Sequence, residues 1–269
     1  MGRGERRRLC RRSEGGDAPP EKMSSERGVA VVTGASSGIG AATVATLARA
    51  GWRVVAGARR EDRLREVADA VGARWMHLDV TDQASVDEFV AALDECAVLV
   101  NNAGGAYGLS PIAEADEEQW RRMYEVNVLG LMRMTRALLP LLERATPVGH
   151  VVNIGSIAGA ETYPGGAGYT AVKHAVRAIS RTLRQELLGR PVRVSEIDPG
   201  AVETEFSVVR LGSEESAAKV YAGMTPLTGE DIAECVRWVL ERPAHMCVDE
   251  MVVRPLDQTM GQPEVHRRG

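Results

Sequence analysis

The chain has 269 residues, with 33 Lys+Arg against 37 Asp+Glu, a formal net charge of −4 and 44% hydrophobic residues. That length suffices to bury one large core, and no apolar run approaches the roughly 18–20 residues that cross a bilayer. The mildly acidic balance gives a nucleic acid no footprint, and four widely spaced cysteines (Cys10, Cys96, Cys235, Cys247) without a CxxC pair read as free thiols in a reducing, cytoplasmic setting.

Residues 1–28 carry eight basic and five acidic side chains, several Gly and Pro, and almost no bulky apolar residue. This composition predicts a disordered basic tail, with Met23 as an alternative start. It has no apolar core of a secretory signal. The predicted domain covers 29–261, with a short tail at 262–269, and removing residues 1–22 is expected to leave activity intact. Apolar strand runs are predicted at Val29–Thr33, Arg53–Ala56, Arg74–Leu78, Ala97–Val100, Val151–Ile154, Val192–Ile197 and Glu250–Val253. Helical patterns lie between them at about Gly38–Ala50, Glu61–Ala70, Ser85–Leu93, Glu117–Glu143, Gly168–Leu188, Glu215–Ala222 and Gly229–Glu241. Strands that are apolar throughout belong to a parallel sheet covered on both faces. The alternation predicts an α/β fold: a single-domain, doubly wound (Rossmann) parallel sheet of seven strands with helices on both faces and right-handed crossovers.

Between the first strand and the first helix lies Thr33-Gly34-Ala35-Ser36-Ser37-Gly38-Ile39-Gly40. Glycines there let the backbone turn tightly and approach a pyrophosphate at the positive helix N-terminus. The spacing is GxxxGxG, and no lysine follows to serve a triphosphate. Dinucleotide folds that select NAD place an acid at the end of the second strand for the ribose 2′-hydroxyl. Here Ala58 holds that position and Arg59 and Arg60 follow. Two guanidiniums suit a 2′-phosphate dianion, so the expected cofactor is NADP(H), with Arg59→Ala as the test.

Only three of the 33 cationic residues are lysines: Lys22, Lys173 and Lys219. One of them stands four residues after Tyr169, at the spacing that puts both side chains on one helix face. Ser156 lies 13 residues before Tyr169, just past the fifth strand. Carbonyl reduction by hydride needs a proton donor at the oxygen. A tyrosine beside an ammonium, with its pKa lowered by that charge, fits the task, and Ser156 supplies a hydrogen bond where negative charge develops.

With these motifs in place the chain resembles the short-chain dehydrogenase/reductase family over residues 29–255. The resemblance implies that Asn101-Asn102-Ala103-Gly104 contacts the cofactor and supports the sheet, and that Asp79, in Leu78-Asp79-Val80, approaches the adenine. It implies that Pro199-Gly200-Ala201-Val202-Glu203-Thr204 covers the nicotinamide. It implies a tetrad of Asn127, Ser156, Tyr169 and Lys173 with a water-linked proton relay through Lys173 and the Asn127 region. The implied cofactor set is Gly34, Ser36, Ser37, Gly38, Ile39, Gly40, Arg59, Arg60, Asp79, Val80, Asn102, Ala103, Gly104, Tyr169, Lys173, Pro199, Gly200, Val202 and Thr204. The segments Thr204–Arg210, Pro243–His245 and Arg254–Gln258 look like the NADP-dependent 3-hydroxy acid dehydrogenases that act on serine and allo-threonine. Arg210 is then a candidate partner for a substrate carboxylate, alongside Ser156 and Tyr169. Cys96-Ala97 departs from relatives that carry an acid there and touches no catalytic position.

None of His77, His150, His174, His245 and His266 stands at metal-ligand spacing, so no metal is expected. Ala137–Leu142 reads as core or subunit contact, and the family resemblance implies a homo-oligomer, a dimer or tetramer. The expected partner is a small-molecule substrate, with neither nucleic acid nor membrane. Two rivals are kept: an aldehyde or ketone reductase of secondary metabolism, and a non-catalytic NADPH-sensing binding protein. A panel of hydroxy acids, amino alcohols and aldehydes separates the first, and Tyr169→Phe the second.

Overall fold

A computed structural model describes residues 27–259. The predicted tails fall almost wholly outside that range. Seven strands form one parallel sheet: β1 (Arg27–Thr33), β2 (Trp52–Ala58), β3 (Arg74–His77), β4 (Val98–Asn101), β5 (Gly149–Ile154), β6 (Val192–Pro199) and β7 (Glu250–Val253), in the order β3-β2-β1-β4-β5-β6-β7. β1 starts two residues before the predicted Val29, so Arg27 and Gly28 belong to the sheet and not to the tail.

Alternate residues of each strand face opposite helix layers. Val32, Ala56, Val100, Val152 and Ile197 pack on α1 (Gly38–Arg49), α2 (Glu61–Asp69) and α9 (Gly229–Leu240) through Val44, Leu47, Leu64, Ile232 and Val236. Val31, Val55, Leu99, Val151 and Val194 pack on α3 (Gln83–Ala91), α5 (Gly130–Leu142) and α6 (Ala167–Glu186) through Phe89, Met134, Leu138, Leu142 and Leu183. Burial on both faces explains why the central strands read as unbroken apolar runs. Within the run Ala137–Leu142, Leu138 and Leu142 are fully buried, so this stretch is core.

Two helical predictions change. The long helix expected over Glu117–Glu143 divides into α4 (Glu117–Tyr124), a π turn at Glu125–Leu129, and α5. The widened turn contains Asn127, whose Nδ2 donates to the carbonyls of Met123 (2.8 Å) and Gly105 (2.8 Å). That insertion into the helical ladder opens the register, a known cause of π turns, which concentrate at functional sites. The segment after Thr204, for which no helix is predicted before Glu215, holds a further helix, α7 (Glu205–Leu211), before α8 (Glu214–Tyr221). Thr204 Oγ1 caps it by accepting from Phe206 N, and Gly212 ends it at φ 77°, which favours glycine.

Cys96, Cys235 and Cys247 are free thiols, and burial pushes Cys96 up to about 12, which makes it an inert core residue. Among the described residues, no helix is long and apolar enough to cross a membrane and no His/Cys/Asp/Glu cluster suits a metal ion.

Candidate active site

The chain runs from β1 outward to β2 and β3, then returns to β4 on the other side of β1. That reversal opens a crevice at the carboxyl ends of the strands, where open α/β sheets bind ligands. A cavity of about 700 Å³ occupies it, with lining residues running from Gly34 to Gln258.

One end is built from the glycine turn. Gly34 has φ 65° and Gly38 φ 53°, conformations that disfavour a side chain. A Cβ at Gly40 would overlap the Gly34 carbonyl oxygen and stand 2.5 Å from Asn102 Nδ2. Asn102 Nδ2 donates to the carbonyls of Thr33 (2.9 Å) and Gly34 (3.2 Å), and Thr33 Oγ1 accepts from the amides of Asn102 and Ala103. The Asn-Asn-Ala-Gly segment therefore ties β4 to the turn. Its neighbour Asn101 lies deeper, donating to Thr135 and Asn153. Ala58, at the end of β2, is buried. Arg60 crosses to the turn, with Nε 3.2 Å from Ser36 Oγ and Nη2 2.6 Å from Ser37 Oγ. Its remaining nitrogen pairs with Glu205 of α7 (2.9 Å), as does Arg63 (2.6 Å). Arg59 also lines the cavity but meets a different partner: it is 62% exposed and lies 3.9 Å from Asp79. Burial pulls Asp79 upward, but hydrogen bonds from Thr81 and the charges of Arg59 and His77 outweigh it, and its carboxyl sits below the usual range.

The other end holds Ser156, Tyr169 and Lys173. Tyr169 sits in the first turn of α6 and Lys173 one turn later. Ser156 follows β5, its backbone fixed by donation to Asp198 Oδ1 (2.9 Å). Ser156 Oγ accepts from Ala158 N (3.1 Å), which leaves its own proton for another acceptor. Lys173 Nζ donates to the Ile154 carbonyl (2.9 Å) and lies 5.8 Å from the Tyr169 ring centroid. Burial pushes Tyr169 up to about 12, a hydrogen bond with Ser156 and the charge of Arg210 pull it back, and Asp198 adds to the rise. The lowering expected from Lys173 is therefore not what the chain's own groups produce: desolvation wins, and the opposing cation is Arg210. Lys173 itself is pushed down to about 8 by burial, against the charges of Glu196 and Asp198.

Arg210 lies on the cavity wall. From α7 its guanidinium lies 5.4 Å from the ring centroids of both Tyr163 and Tyr169, its Nε donates to the Gly108 carbonyl (3.3 Å), and its Nη2 is buried without a partner. Phe206 stacks tilted on Tyr169 at 5.5 Å. Asn127 reaches the cavity wall, but both hydrogens of its amide go to Gly105 and Met123 and none to Lys173. Pro199, Gly200, Val202 and Thr204 form the roof. Ala201 N donates to Gln258 Oε1 (2.9 Å), and a Cβ at Gly38 would stand 3.2 Å from Thr204. Ile39, Val80 and Gly104 complete the wall on the glycine-turn side. Sequence reasoning missed Tyr163, Phe206, Glu196, Asp198 and Glu205. The two acids of β6 were visible as charges inside an apolar strand, while the aromatic pair carried no local signal.

The family described as short chain dehydrogenase matches residues 28–213. An uncharacterized oxidoreductase of Mycobacterium tuberculosis (strain ATCC 25618 / H37Rv) is 55% identical over 237 residues, covering 88% of this chain and 94% of its own. An NADP-dependent 3-hydroxy acid dehydrogenase of Salmonella typhi is 42% identical over 248 residues, covering 89% and 99%. Among solved structures, the closed form of a serine dehydrogenase complexed with NADP+ superposes with a TM-score of 0.83 at 40% identity, covering 89% of this chain and all of that one.

Proposed function

The chain belongs to the short-chain dehydrogenase family, and from that membership we propose that it is an NADP(H)-dependent oxidoreductase whose substrate is a 3-hydroxy acid. The observation that carries this reading is one cavity with Arg60, Ser36 and Ser37 at one end and Ser156, Tyr169, Lys173 and Arg210 at the other. The chain's own groups fit the cofactor. The glycine turn leaves room for a pyrophosphate at the α1 N-terminus, Ala58 removes the acid that would repel a 2′-phosphate, and Arg60 supplies a positive fork beside two hydroxyls. When bound, the nicotinamide gives or takes the hydride.

The protein residues handle the oxygen and its proton. Ser156 donates a hydrogen bond to the carbonyl oxygen where charge develops. In reduction, the Tyr169 hydroxyl passes its proton to that oxygen and is left as phenolate, and in oxidation the phenolate takes the proton back. Ser156 and Arg210 both favour the phenolate against desolvation. Lys173 adds a buried ammonium one turn away and would hold the cofactor ribose. Asn127 supports the relay by shaping the π turn. The unpartnered Nη2 of Arg210, beside Tyr169, supplies a binding point for the substrate carboxylate.

The apolar wall of Leu109, Phe206, Val209 and Leu211 favours a second reading, a reductase of aldehydes or ketones that lack a carboxylate. A cytoplasmic homo-oligomer, dimer or tetramer, belongs to the same proposal, supported by three free thiols and by the exposed apolar surface of Trp238 and Leu256. The test is NADPH absorbance with serine, 3-hydroxyisobutyrate and simple aldehydes. Tyr169→Phe is expected to lower kcat by about 100-fold or more with every substrate. Arg210→Ala is expected to lower kcat/KM roughly 10- to 100-fold for hydroxy acids and markedly less for aldehydes, which lose only its support of the phenolate. An equal loss for both classes would favour the aldehyde reading and remove the carboxylate role.

A further inference from the structure

Behind the reactive end, a buried strand carries two acids. Every residue of β6, Val192–Pro199, is buried. Glu196 and Asp198 are two apart, so both side chains project from one face, shared with Val194 and turned toward α6. Glu196 is 2% exposed and Asp198 0%. Both reach the space behind Gly155. A Cβ there would overlap Asp198 Oδ1 and stand 2.6 Å from Glu196 Oε1, so both oxygens lie within 2.6 Å of one point. Asp198 Oδ1 accepts from Ser156 N, but among the described residues no N–H or O–H meets Glu196 Oε1 or Asp198 Oδ2.

Two ionised carboxylates this close and this dry would repel each other and leave orphaned acceptors. A single shared proton removes both penalties and leaves one negative charge. The neighbours define what that charge meets. Lys173 is 7% exposed, and the charges of both acids oppose the effect of burial on its ammonium. Tyr169, also on α6, faces Asp198. Glu250, in register with Glu196 on β7, is already paired with Arg177 and Arg181 of α6. Arg254, just past β7, pairs with Glu161 at 2.5 Å. The buried ammonium thus has one counter-charge at hand, and a buried charge needs one.

We propose that Glu196 and Asp198 act as one proton-sharing pair, a positioning unit whose single negative charge keeps buried Lys173 an ammonium while Asp198 anchors the backbone of Ser156. The proposal rests on the roles given above to Lys173 and Tyr169. Neither acid touches the reacting atoms, and both act through Lys173 and Ser156.

Three lysines in the whole chain make the test direct. Lysine labelled with 13C at Cε gives three NMR signals, and Lys173→Arg identifies one of them. The titration midpoint of Lys173 is read in the wild type, in Glu196→Gln, in Asp198→Asn and in the double variant. Each single variant retains one carboxylate and is expected to hold Lys173 as an ammonium at pH about 7. The double variant leaves the ammonium without a counter-charge. Its midpoint is expected to fall by about one pH unit or more, and kcat at neutral pH by roughly twofold or more, with KM for NADPH unchanged. An unmoved midpoint in the folded double variant overturns the proposal, and so does a single variant that falls as far as the double. Should the double variant fail to fold, infrared spectra of the wild type decide. A protonated carboxyl stretch at pH about 7 that Asp198→Asn abolishes supports the pair, and its absence from the wild type overturns it. The midpoint is independent of turnover, so an active Tyr169→Phe enzyme would sink the proposed function without altering this result.

Discussion

Arg59 and Arg60 are adjacent in sequence but meet different partners. Ala58 is the last residue of β2, so the next two side chains leave the strand end in opposite directions. Arg59 meets Asp79 on the cavity wall, while Arg60 reaches the α1 N-terminus at Ser36 and Ser37. A charge-assisted hydrogen bond to a phosphate is worth about 1.5–3 kcal/mol, which is roughly 10- to 150-fold in affinity. Arg60→Ala is therefore expected to raise KM for NADPH by about that factor and to leave KM for NADH nearly unchanged. Arg59→Ala, starting from an exposed side chain, is expected to have the smaller effect. Steady-state kinetics with both cofactors checks this, and an unchanged NADPH/NADH preference in Arg60→Ala would falsify the assignment. The pair of arginines was legible in the sequence. Which of them reaches Ser36 and Ser37 was not, because that depends on where the strand ends and which way the next residue faces.

At the scale of elements, strand and helix periods were legible because both sheet faces are covered and each helix buries one stripe. The two failures have tertiary causes. The π turn at Glu125–Leu129 depends on Asn127 reaching Gly105, 22 residues earlier, a contact that no local pattern encodes. α7 is only seven residues long, too short for a periodic signal, although its cap Thr204 and its terminator Gly212 were visible. Glu196 broke the apolar pattern of the predicted strand and Asp198 fell just past its predicted end, and a shared proton is legible only once both are seen behind Gly155. The π turn supports a stability prediction. Asn127→Ala removes the donors to two partly buried carbonyls, at a cost of roughly 1–3 kcal/mol, and frees residues 125–129 to return to α register. Urea unfolding should show that loss, with faster hydrogen exchange at the Gly105 amide, which Asn127 Oδ1 now accepts (3.4 Å). Wild-type stability in the variant would mean that the π turn is held by packing alone.

For the whole molecule, the buried charges of the sheet predict how stability responds to pH. Burial pushes the Asp198 carboxyl up to about 8, with Glu196 reinforcing the shift. The folded state therefore holds this proton more tightly than the unfolded chain does. The resulting stability is fully present below the ordinary carboxylate value of about 4 and is lost as pH rises through about 8. His150 works in the opposite sense. Burial, with the charge of Arg193, pushes it down to about 3, so folding favours its neutral form and stability is gained from about pH 3 to about 6.5. The two slopes oppose each other on the acid side, and between about pH 6.5 and 8 the Asp198 term has no opponent among the shifted groups. Above that, Lys173 turns the trend: burial pushes it down to about 8, so the unfolded chain binds the extra proton, until above about pH 9 the Cys96 thiol, pushed up to about 12, opposes it. The unfolding free energy, measured by urea titration at closely spaced pH values, is expected to fall from pH about 6.5 to about 8 by no more than about 1.4 kcal/mol per unit. Asp198→Asn cannot lose that proton and should flatten the same window. A free energy that rises across it, or a fall that Asp198→Asn leaves intact, would place the titrating group elsewhere and remove Asp198 as the site where the buried sheet holds its proton.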